Sequence, residues 1–266
     1  MERSAAAAQV EQRPPAAYIA EFIGTFVLVA AVTMAVCLFV NAQGTGSDWA
    51  VVGLVHFFVL FMLVMTIGSI SGAHVNPAVT LALLALRKIR PNDAAVYIVL
   101  QLAGAVAGAL LTKFLLIDQL ADQQAVGTPQ VNLSLLGSTF AGVIAEGVGT
   151  FFLVWAVVAV AVNPRAARDW SGLVIGATLG FGVLIFGPLT GAALNPARWF
   201  GPAFVDAIGD NTVGFDDFWL YIIGPISGGV LAALVYWYLF VEGPGIRAAT
   251  PETGPKGLRQ DVIPPQ

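Results

Sequence analysis

The tripeptide Asn-Pro-Ala occurs twice in the sequence, at Asn76-Pro77-Ala78 and at Asn195-Pro196-Ala197, 119 residues apart. Asparagine is a preferred N-cap, and proline at the first helical position loses no hydrogen bond because that N–H is orphaned anyway. Each asparagine is therefore expected to cap a helix with its side-chain oxygen, leaving its NH₂ group as a donor. Arg198 follows the second cap by three residues, about one helical turn. Glu21 and Glu146 stand within apolar runs, and His56 and His74 are the two histidines. Such groups donate, accept and orient. No nucleophile–base pair, metal-ligand cluster or phosphate-binding loop accompanies them, so no enzyme, metal or cofactor is expected.

The elements around these residues must hold them inside a bilayer. Of the 266 residues, 58% are hydrophobic and 11% charged, against about 25% charged in a typical soluble domain. A hydrocarbon core of about 30 Å takes roughly 20 helical residues to cross. Six segments are long enough: Ala17–Val40, Ala50–Ile70, Ala94–Ile117, Ser138–Val162, Trp170–Leu189 and Asp217–Val241. Asn76–Leu86 and Asn195–Val205 have 11 residues each, and at about 1.5 Å per residue each reaches about half way across. Residues 1–15 and 243–266 read as disordered tails around one membrane domain, 16–242. A single cysteine, Cys37, allows no disulfide within the chain.

The halves, about 16–117 and 138–242, repeat one another. Ala20-Glu21 matches Ala145-Glu146 at an offset of 125. Ser71-Gly72-Ala73-His74-Val75-Asn76 matches Thr190-Gly191-Ala192-Ala193-Leu194-Asn195 at 119, and Tyr97-Ile98 matches Tyr221-Ile222 at 124. Three spans per half invert the second half relative to the first. Inverted repeats of this kind place the functional site near the midplane, where discontinuous helices meet. Non-helical backbone at that depth implies protein packing or a water-filled cavity. Each half-helix also brings roughly half a positive charge to the centre. Half-helix dipoles or an arginine at such a centre form an electrostatic barrier to cations and protons.

Cations fix the sidedness. Ten of the 12 Lys and Arg fall in the tails and in the connections after spans two and four, while Asp48, Asp118, Asp122, Asp206, Asp210 and Asp216 mark the other connections. By the positive-inside rule both termini are cytoplasmic, in the cell (inner) membrane. The other two cations are Lys113, near the outer end of span three, and Arg198.

The paired Ser-Gly-Ala-His-Val-Asn-Pro-Ala-Val-Thr and Thr-Gly-Ala-Ala-Leu-Asn-Pro-Ala-Arg, with Ala-Glu-Phe opening span one, resemble the major intrinsic protein (aquaporin) family over about 17–241. The resemblance implies an all-α membrane protein of six transmembrane helices plus two half-helices in an inverted repeat. It further implies a homotetramer in a lipid bilayer with one pore per monomer, passing water and small uncharged solutes and binding no nucleic acid. It assigns His56, Val183, Ala192 and Arg198 to the selectivity filter, a set most similar to vacuolar-type plant members. Val183 where water-strict members have histidine implies a wider constriction, open to glycerol, urea, ammonia or hydrogen peroxide alongside water. A channel mainly for those solutes is the alternative cargo. Ala203 resembles the water-selective group, whereas Trp199 fits neither group.

Bland readings stand beside these. Arg198 could be satisfied by carbonyls away from any pathway, although a charge at this depth costs about 2.5–3.5 kcal/mol on insertion scales and marks a candidate site. Taken alone, His56 would be a packed core histidine. Glu21 and Glu146 are either coupling groups of a secondary transporter or, as the resemblance implies, acceptors for the backbone leading into each half-helix. His74 is a structural support at the cytoplasmic mouth or a pH-sensitive element. Gly104, Gly108, Gly228 and Gly229 suit close helix crossings.

Overall fold

The computed structural model describes residues 11–40, 46–116, 125–209, 215 and 217–243. The six long helices in this set are α1 (Pro15–Phe39), α2 (Gly46–Ser71), α4 (Pro91–Leu115), α6 (Thr139–Val157), α7 (Ser171–Thr190) and α9 (Phe218–Tyr236). All are long and apolar enough to cross a membrane. Between them lie α3 (Pro77–Ala85), the single turn α5 (Leu133–Leu136) and α8 (Pro196–Ala207). Both α6 and α9 end in a π-helical turn, at Val158–Val162 and Trp237–Val241. Proline occupies the first turn of α1, α3, α4 and α8, where it needs no amide partner and presets φ. That is why α4 begins at Pro91, three residues before the apolar run. Of the expected tails only 11–15 and 243 are described. Pro15 already opens α1, and the Arg13 amide donates to Asp93 Oδ2 at 3.3 Å.

The burial pattern is inverted relative to a soluble protein. Phe58, Phe114, Phe140 and Ile185 are more than half exposed, whereas Glu21, Thr25, Gln101, Glu146 and Thr150 are fully buried. Hydrocarbon solvates the outside, so the polar groups must find partners within.

The two halves pack alike and then interlock. Helix α1 lies against α4 and α2, and its repeat counterpart α6 lies against α9 and α7. The short helices cross over: α3 packs on α9 of the other half, and α8 on α4. Missing side chains permit the tightest crossings. A Cβ built at Gly108 would lie 2.6 Å from the Phe26 carbonyl, and one at Gly228 would collide with the carbonyl of Gly147. Gly104 meets the Phe22 carbonyl as closely. Gly229 is looser, with Val154 Cγ2 at 3.2 Å.

Overpacking at such a crossing costs about 1–3 kcal/mol. Gly228→Val should therefore lower the melting midpoint in detergent, followed by size-exclusion fluorescence. Gly68→Ala, whose added methyl meets nothing nearer than 3.9 Å, should be neutral or stabilising.

Candidate functional site

The segments leading into the half-helices adopt one unusual conformation at matching repeat positions. Gly72, Ala73 and Val75 have φ of 93°, 48° and 42°, and Gly191, Ala192 and Leu194 have 74°, 42° and 48°. Left-handed backbone costs roughly 1–2 kcal/mol per L-residue, and a β-branched side chain such as Val75 adopts it rarely. The buried carboxylates offset that cost. Glu21 accepts from the amides of His74 at 2.9 Å and Val75 at 2.7 Å, from Ser71 Oγ at 2.6 Å and from Gln101 Nε2 at 2.7 Å. Glu146 accepts from the amides of Ala193 at 2.9 Å and Leu194 at 2.7 Å, and from Thr190 Oγ1 at 2.6 Å. Tyr97 and Tyr221 hydroxyls donate to the carbonyls of Ser71 and Thr190, both at 2.8 Å. With these N–H groups tied back to the protein, no donor among the described residues reaches the carbonyls of 72–74 or 191–193.

Asn76 Oδ1 accepts from the Ala78 amide at 2.8 Å, and Asn195 Oδ1 from the Ala197 amide at 2.9 Å and the Arg198 amide at 3.3 Å. Pro77 and Pro196 open the half-helices, with Ala78 and Ala197 fully buried behind them. The NH₂ groups expected as free donors are each partly engaged. Asn76 Nδ2 donates to the Leu194 carbonyl and Asn195 Nδ2 to the Val75 carbonyl, both at 2.9 Å. One hydrogen of each NH₂ thus ties its half to the other, and one is left for the lumen.

Two cavities meet at Arg198, which lines both. The first, about 570 Å³, reaches from Arg13, Lys88 and Arg168 past His74, Asn76 and Asn195 to His56 and Arg198. The second, about 650 Å³, is bounded by Trp49, Gly127, Thr128, Asn132 and Arg198. Neither Glu21 nor Glu146 lines either cavity. Arg198 is 2% exposed. Its Nη1 donates to the Gly127 carbonyl at 3.0 Å, while its buried Nε has no partner among the described residues. His56 is equally buried, with Nδ1 2.8 Å from the Val52 carbonyl. A carbonyl only accepts, so this contact assigns the ring proton to Nδ1. Nε2 is buried and has no partner among the described residues, although the residue lines the first cavity. Val183 and Ala192 are fully buried in one packed cluster with Val52, and neither lines a cavity.

The two halves differ in their bracing. Gln101 also donates to Thr80 Oγ1 at 3.0 Å, and Thr80 lies 3.1 Å from His74 Nδ1. The repeat counterparts of Gln101 and Thr80 are Pro225 and Trp199. Proline cannot donate, and Trp199 instead stacks on Tyr221 at 5.4 Å. The residue that fits neither group of the family thus fills an aromatic slot. Sequence reasoning missed the hydroxyls of Ser71 and Thr190, although the 119-residue offset pairs them. It also placed Asp206 among the acids of an outer connection. The carboxylate is instead fully buried in the last turn of α8, because the half-helix runs on to Ala207.

Residues 10–236 match the family model described as major intrinsic protein. The chain is 37% identical over 248 residues to aquaporin AqpM of Methanothermobacter thermautotrophicus, covering 84% of this chain and 97% of that one. It is 38% identical to probable aquaporin TIP2-2 of Oryza sativa subsp. japonica, covering 89% and 92%. The solved structure of the aquaglyceroporin from Plasmodium falciparum superposes with a TM-score of 0.74 at 27% identity, over 85% of this chain and 96% of that one.

A carboxylate that meets only donors does not tolerate an amide. In Glu146→Gln one oxygen becomes an NH₂ facing a backbone N–H, at a cost of about 1–3 kcal/mol for the unsatisfied group. Glu21→Gln should behave alike, both showing a lower melting midpoint and less folded protein per milligram of membrane.

Proposed function

This chain belongs to the major intrinsic protein family, and from that premise we propose that it is a passive membrane pore for water and small uncharged solutes. One observation carries the reading. The amides of Asn76 and Asn195 each reach the carbonyl before the opposite cap, so two positive helix ends meet beside a cavity that both asparagines line. A water there gives its oxygen to the remaining N–H of each amide. Its hydrogens then point away along the pore, so it cannot accept a proton from a neighbour. The paired dipoles oppose cations.

Arg198 and His56, with Val183 and Ala192 behind them, form the selectivity filter in this reading. Arg198 supplies donors and His56 Nε2 an acceptor, a pairing that suits neutral solutes bearing both N–H or O–H and a lone pair. Val183, apolar and packed behind the constriction, leaves it wider than a histidine would and so favours passage of urea, ammonia or glycerol beside water. In this reading the protein lies in the cell membrane, with the face bearing Arg13, Lys88 and Arg168 and both termini on the cytoplasmic side. Four copies assemble, each with its own pore.

Purified protein in liposomes should pass water with non-saturating flux and a low activation energy, independent of ion gradients, in stopped-flow shrinkage. Val183→His should lower glycerol and urea entry while water flux holds. Unchanged solute entry in that variant would remove Val183 from the filter.

A further inference from the structure

Arg198 is held by a loop, and the loop is held by Asp206. The carboxylate accepts the Val126 amide at 2.9 Å through Oδ1 and at 3.3 Å through Oδ2. Oδ2 also accepts the Thr128 hydroxyl in a short hydrogen bond. The residue between these two is Gly127, whose carbonyl receives Arg198 Nη1. Gly127 has φ of 65° and lies flat on α1, where a Cβ would come within 3.0 Å of the Thr33 carbonyl. The same loop runs on over Gly191, next to Ala192, and is fixed further along by the Asn132 amide on the Leu189 carbonyl at 2.8 Å. Asp206 and Arg198 both belong to α8, eight residues apart, about 12 Å along its axis. At that spacing the acid acts on the arginine through the loop and not as an ion pair.

We propose that Asp206 is a positioning residue of the pore: by gripping residues 126 and 128 it aims the Gly127 carbonyl at Arg198, and so sets the aperture that decides which neutral solutes pass with water. The proposal rests on the pore reading above. The short helix thereby holds the loop at two points, one charge taking its N–H and O–H groups and the other its carbonyl. With the charge gone, the Thr128 hydroxyl loses its acceptor and the hold on the amide of Val126, a residue 1% exposed, weakens. The loop then shifts, and the guanidinium loses its fixed partner and swings out of the constriction.

The test compares wild type, Asp206→Asn and Thr128→Val in proteoliposomes, with water, urea and glycerol permeabilities measured in each preparation. Asparagine keeps an acceptor for Val126 but offers an NH₂ to Thr128. Its urea-to-water ratio should rise about threefold or more, as expected when one charge-assisted hydrogen bond is lost. Thr128→Val should move the ratio the same way by less, which keeps the test open if the asparagine variant folds poorly. A purely structural role would reduce the number of working pores and leave the ratio fixed. A ratio unchanged or lowered in the folded variants therefore overturns the proposal. In an Arg198→Val background Asp206→Asn should add nothing to the ratio, because both act through one contact, and an additive effect also overturns it. If wild-type vesicles pass water no faster than empty ones, it is the pore reading that fails.

Discussion

Everything at the centre of this molecule hangs on two carboxylates buried where water cannot reach them. Glu21 and Glu146 are fully enclosed, and a lone charge there would be expensive. Each is instead surrounded by donors that the chain cannot satisfy in any other way. The left-handed segments before the half-helices turn successive amides toward one side, and the carboxylates collect them. The carbonyls of the same residues are consequently turned to the other side. Strain in the backbone and burial of a charge, each unfavourable alone, remove each other's cost when combined. The result is a strip of rigid acceptors at a depth where irregular backbone is otherwise excluded.

The second constraint is that the halves must meet. Two helix N-termini of like partial charge repel, yet the caps of α3 and α8 are locked tip to tip. The lock is the reciprocal pair of bonds from Asn76 to the Leu194 carbonyl and from Asn195 to the Val75 carbonyl. Asparagine suits both tasks because its amide is a donor and an acceptor at once. Aspartate could cap but not reach across. Serine could cap a helix yet has a single hydrogen to give.

Much of this was legible beforehand because the controlling signals are local. Asn-Pro before an apolar run starts a helix wherever it occurs, and a span's length is set by bilayer thickness, so helices and half-helices follow from order along the chain. The repeat supplied the third dimension, since matching offsets of 119 to 125 residues fix which parts are symmetry mates. What escaped was tertiary. Asp206 resembled any acid beside an outer loop, and nothing local says that its oxygens close on Val126 and Thr128. The sharing of each asparagine amide between lumen and opposite half was invisible for the same reason. Trp199 fits no local pattern, because the aromatic slot it fills against Tyr221 is formed by a different helix.

The crossed packing of the short helices bears on how the chain is made. Helix α3 rests on α9, which is synthesised more than a hundred residues later. At about 5–20 residues per second, the ribosome leaves α3 without its partner for on the order of ten seconds. During that interval Asn76 has no opposite carbonyl to hold, and a nine-residue apolar helix too short to span must wait inside the membrane. Assembly of the centre is therefore a late event, completed when the final helix enters.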